Sequence, residues 1–72
     1  MNKYIVPVCD LVSADIWIAK YSARSISDCQ DKIMREFSEA HDEDFTDYRE
    51  FLDIMDRKYN YSIGEITDIE TI

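Results

Sequence analysis

Residues 3–12, KYIVPVCDLV, are rich in Val and Ile and predict a strand. Pro7 cannot donate to a ladder, so it points to an edge strand, a bulge or an outward-facing position. Residues 15–23, DIWIAKYSA, predict a second strand. At period two, Trp17, Ala19, Tyr21 and Ala23 share one face and Ile16, Ile18, Lys20 and Ser22 the other. Ser13 and Ala14 lie between the strands and predict a hairpin whose turn lacks the Asn-Gly or Asp-Gly signal. The period then changes. Ile26, Cys29, Ile33, Phe37 and Ala40 recur at steps of three and four, the apolar stripe of a helix of about fifteen residues. Ser25 and Ser27 are its candidate N-caps.

The polar run HDEDF at 41–45 interrupts the pattern. Tyr48, Phe51, Leu52, Met55 and Tyr59 then mark a second amphipathic helix, capped by Asp44 or Thr46, with Asp47 in its first turn and Arg57 and Lys58 in its last. Asn60 suits a left-handed residue after the helix. Residues 61–67, YSIGEIT, predict a third strand in which Gly64 marks a bulge or a close approach. The order β-β-α-α-β predicts an α+β fold: a single two-layer domain over 1–72, with a three-stranded antiparallel sheet and two helices on one face. Trp17, Phe37, Phe51, Leu52 and Met55 are the expected core. Ile16 and Ile18 are left on a sheet face that no remaining element covers, a candidate self-association surface.

Length and composition narrow the function. With 72 residues there is one small core and no second domain. No apolar run approaches the roughly 18 residues that span a bilayer, and the N-terminus lacks a small-residue cleavage site, so a cytoplasmic location is expected. Cys9 and Cys29 lie far apart without a CxxC; they read as two small buried hydrophobes in a reducing compartment. His41, Asp42, Glu43 and Asp44 are adjacent donors, but consecutive residues rarely converge on one ion and no Gly completes a calcium loop, so no metal is expected. No phosphate loop, nucleophile elbow or paired-histidine motif occurs, so neither a cofactor nor enzymatic activity is expected.

Charge changes the picture most. The net charge is −8, from 16 acids and 8 bases. Residues 36–56 hold nine acids and one base, while the segments on either side nearly balance. On the second helix, Asp47, Glu50, Asp53 and Asp56 step by three along the side opposite the apolar stripe. Pairs from Arg49 to Asp53 and from Asp53 to Arg57 would offset part of that row. Two readings stand: a solvated face that keeps a small protein soluble, or a row of carboxylates that imitates a phosphate backbone and occupies a basic groove. The few scattered bases argue against direct nucleic-acid binding. Ile54 points away from the apolar stripe and would serve as an apolar anchor rimmed by charge.

In its length, its β-β-α start and its carboxylates concentrated on late helices, the chain resembles small acidic accessory proteins of phages and mobile elements, among them anti-CRISPR and other anti-defence inhibitors. That resemblance implies a stoichiometric inhibitor acting in a bacterial host cell on a nuclease or CRISPR-type complex. The expected partner is a basic, nucleic-acid-handling protein, met by Glu43, Asp44, Asp47, Glu50, Asp53, Ile54 and Asp56. The alternative is a small structural or regulatory module that homodimerises through the open sheet face.

Overall fold

A computed structural model describes residues 1–69. Strands β1 (Asn2–Asp10) and β2 (Asp15–Ala23) form an antiparallel hairpin in unbroken register from Asn2↔Ala23 to Asp10↔Asp15. The first strand stops two residues short of the expected end, and the turn spans Leu11–Ala14 rather than two residues. Asp10 explains this: its carboxylate accepts from the Val12 and Ser13 amides at 3.0 and 3.4 Å, closing a turn that ends with Ala14 in the left-handed region at φ 61°.

Helix α1 (Ile26–His41) is capped by Ser25, whose hydroxyl accepts from the Asp28 amide at 3.1 Å. The Asp28 carboxylate reaches back to the Arg24 amide at 3.0 Å. Helix α2 (Tyr48–Lys58) is capped by Asp47, not by Asp44 or Thr46: the Asp47 carboxylate accepts from the Glu50 amide at 2.8 Å. Asn60 takes the left-handed conformation expected of it, at φ 59°.

The expected third strand is split into β3 (Tyr61–Ile63) and β4 (Thr67–Asp68), both antiparallel to β1. The sheet order is β2-β1-β3, with β4 beside β1 further along the same edge, so β1 is central. Pro7 is tolerated there because of where the break falls. The amides of Leu11, Gly64 and Ile69 bond across to Asn60, Pro7 and Lys3, so odd residues of β1 aim their backbone groups at the β3–β4 side. Residue 7 lies between the stretches paired with β3 and β4, and the missing N–H removes no ladder bond. Gly64 is needed at the same point: a Cβ on it would lie 2.5 Å from Pro7 Cγ.

Both helices cover one face of the sheet. Tyr4, Val6 and Val8 of β1 alternate inward and are buried with Ala23, Cys29, Ile33, Phe51 and Met55. Phe37 and Leu52 are half-buried against this core. Trp17 departs from its expected place: it faces the helix side but is 42% exposed, sitting at the hairpin end of β2, where its ring and that of Tyr61 meet in a T-shaped contact, centroids 6.1 Å apart. Ile26 and Ala40, at the two ends of the α1 stripe, are exposed as well.

Candidate protein-binding surface

The carboxylates of 36–56 occupy the end of α1, the 42–47 connection and the outer side of α2, and the fold uses them unequally. Glu43 is the most constrained. Asp42 takes the left-handed conformation that ends α1, at φ 52°. The Glu43 amide then donates to the Ser38 carbonyl at 3.2 Å, and the Ser38 hydroxyl donates to the Glu43 carbonyl. The Glu43 side chain turns inward to accept from Lys58 Nζ at 2.7 Å and from the Tyr59 hydroxyl at 2.6 Å. These two donors hold its carboxyl below the usual range, against a smaller opposing effect of desolvation, and raise the pKa of Lys58 and Tyr59 in turn. Glu43 is therefore a clamp between the end of α1 and the end of α2. Sequence reasoning placed it in the recognition row and missed its partners, because a fifteen-residue separation carries no local periodicity.

Along α2 the row is partly engaged. Asp47 caps the helix, and Glu50 accepts from the Thr46 hydroxyl at 2.6 Å. Asp53 pairs with Arg57 across one turn, while the expected Arg49–Asp53 pair does not form. Asp44 and Asp56 are exposed and, among the described residues, make no ion pair or side-chain hydrogen bond. Asp47 and Asp53 are exposed as well, and Glu50 is half-buried. The row is thus presented to solvent on a helix whose opposite side is pinned by fully buried Phe51 and Met55.

Ile54 is not the free-standing anchor that the helical wheel suggested. It is half-buried and packs against the core, because the stripe of α2 is wider on that side than the five residues that defined it. Its remaining exposed part lines a shallow depression with Asp47, Arg49, Glu50, Asp53 and Arg57.

Ile16 and Ile18 lie where alternation put them, on the uncovered face, 72% and 51% exposed. Across the hairpin they meet Cys9 and Pro7. Cys9 is half-buried on this face, whereas Cys29 is buried in the core on the other side; both are free thiols, and burial raises the pKa of Cys29. His41 joins an aromatic group instead of a ligand set: its ring stacks on Phe37 at 5.9 Å and lies 4.3 Å from Tyr59. Among the described residues, no three His, Cys, Asp or Glu side chains converge as metal ligands, and no helix is long and apolar enough to cross a membrane.

No family model, no curated protein and no solved structure matches this chain.

Proposed function

We propose that this protein is a non-enzymatic binding protein whose acidic helix face docks on the basic, nucleic-acid-binding surface of another protein and competes there with nucleic acid. The observation that carries the reading is the placement of Asp47, Glu50, Asp53 and Asp56 on the outer side of a helix whose inner side is locked in the core. A helix rises about 1.5 Å per residue, so a step of three spaces these groups about 4 to 5 Å apart along the axis, in a slowly winding stripe. Duplex DNA carries about one charge per 1.7 Å of axis, divided between two strands, so the row offers charge of comparable spacing to one strand. Like charges at this spacing repel one another, and the pairing of Asp53 with Arg57 relieves only part of that. Exposed Asp44 extends the row at the helix entry, while Glu43 supports it from below. The resemblance to anti-defence inhibitors favours a nuclease or CRISPR-type complex as partner.

The test is capture from a nuclease-treated bacterial lysate on immobilised protein, with duplex DNA as competitor. A retained nucleic-acid-binding protein that duplex DNA displaces, and that the Glu50→Lys/Asp53→Lys protein does not retain, is the expected result. Retention that DNA does not disturb, or that the double reversal preserves, would overturn the reading.

A further inference from the structure

The outer edge of β2 points to a second partner, independent of the acidic helix. Odd residues of β1 aim their backbone groups at β3 and β4, so its even residues bond to β2. Their partners on β2 are Trp17, Ala19 and Tyr21. The N–H and C=O groups of Ile16, Ile18, Lys20 and Ser22 therefore point outward, along a regular strand of nine residues with no bulge and no proline. At one end this edge is already closed, since Lys32 Nζ donates to the Ser22 carbonyl. Among the described residues nothing bonds the outward backbone groups of Ile16, Ile18 and Lys20.

Charge along the hairpin is polarised. Its turn end carries Asp10 and Asp15, and its other end carries Lys3, Lys20 and, just beyond, Arg24, with Ile16 and Ile18 between. Such an edge complements itself when a second copy lies antiparallel, the arrangement that a closed two-fold interface requires. Glu36 stands beside Tyr21 of β2, while the carboxylates along α2 repel a second copy elsewhere.

We infer that β2 pairs antiparallel with β2 of a second copy of this chain, about a two-fold axis at Ile18. The register follows from the free backbone groups: Ile16, Ile18 and Lys20 have Ile18 as their midpoint, and the bonded Ser22 falls outside. Ile18 then faces Ile18 of the second copy, and Ile16 faces Lys20, with about six ladder hydrogen bonds between them. Lys20 lies one residue along from Asp15 of the second copy, whose side chain is on the other face of the joined sheet, and Arg24 lies beside its turn. On the helix side, Trp17 faces Ala19 of the second copy, which covers the exposed part of the indole. The two exposed Ile16/Ile18 patches become one continuous surface across the joined sheets.

Sedimentation equilibrium of the full chain tests the pairing. The parent should show a monomer–dimer equilibrium. Ile18→Pro, which removes an N–H that bonds nothing within the monomer, should weaken dimerisation at least tenfold with an unchanged circular dichroism spectrum. In a Cys9→Ser background, Ile18→Cys should give a covalent dimer on mild oxidation, and Lys20→Cys should not, since Lys20 faces Ile16. That second pair of variants decides the matter even if Ile18→Pro does not fold. A parent that stays at 8.5 kDa at the highest attainable concentration would overturn the inference. So would a dimer indifferent to Ile18→Pro, or a dimer that Lys20→Cys cross-links and Ile18→Cys does not.

Discussion

Single residues carry much of this fold, since a chain this short has few to spare. Phe51 is fully buried and touches the rings of Phe37, Phe45 and Tyr48, with centroids 4.9 to 5.5 Å away. Phe51→Ala should cost about 3 to 5 kcal/mol, most of the stability of so small a domain, and thermal melting will show it. Tyr48 gives the opposite expectation. Among the described residues its hydroxyl is the buried side-chain polar atom without a partner, and burial raises its pKa. Tyr48→Phe should leave the melting temperature unchanged or raise it, by up to about 1 kcal/mol in stability, because no hydrogen bond is lost. Gly64→Ala should destabilise by about 1 to 3 kcal/mol through the Pro7 ring. Adding Pro7→Ala should recover part of that loss, and a double-mutant cycle measures the coupling.

These residues also show how far the sequence could be read. Gly64 was legible as a point of close approach, because a glycine within a strand pattern has few other uses. Tyr48 was legible only as a core position: the state of its hydroxyl depends on neighbours from other elements. Trp17 was misplaced because alternation gives the face of a strand, not how far the opposing layer extends. Glu43 shows the same limit for charge, since the count assigned it to a partner and the fold assigns it to Lys58 and Tyr59.

Elements were easier to read than their junctions. The hairpin and both amphipathic helices come from periodicity, and the structure contains all three. The caps and breaks depended on side-chain bonds that period alone does not reveal: Asp10 fixed the turn, Asp47 displaced Asp44 and Thr46 as the cap, and Pro7 against Gly64 divided the last strand. The Glu43 clamp between α1 and α2 has a pH signature. Glu43 titrates below its unfolded value of 4.5, so its contribution is complete above that pH and disappears as pH falls through the lowered folded value. Lys58 and the phenol of Tyr59 are raised instead, so their contributions hold below 10.5 and 10.0 and disappear as pH rises. Denaturant unfolding across pH should show both limbs. Glu43→Gln should remove the part of the acid limb that Glu43 supplies, leaving that of Asp28, whose carboxyl the Arg24 amide holds low, and should flatten the part of the alkaline limb that Lys58 and Tyr59 supply. The alkaline limb that remains belongs to Cys29, Tyr21 and Tyr48, all raised by burial, Tyr21 also through the Glu36 carboxylate beside it.

The whole molecule separates two surfaces. One layer exposes carboxylates on helices, and the other exposes Ile16, Ile18 and a free strand edge. Dimerisation through β2 would leave the outer face of α2 open, so the two surfaces can act together and a dimer would present two acidic rows. The competition with nucleic acid is the central claim, and its most direct measurement is the affinity of the captured partner for the parent and for the Glu50→Lys/Asp53→Lys protein as salt rises. Exposed charges act over about 8 Å at physiological ionic strength and less above it, so the parent's affinity should fall steeply between about 50 and 200 mM salt. The double reversal should bind weakly throughout and fold as the parent does. Equal affinities for the two proteins, with no dependence on salt, would contradict the account and leave the acidic row a solvated face.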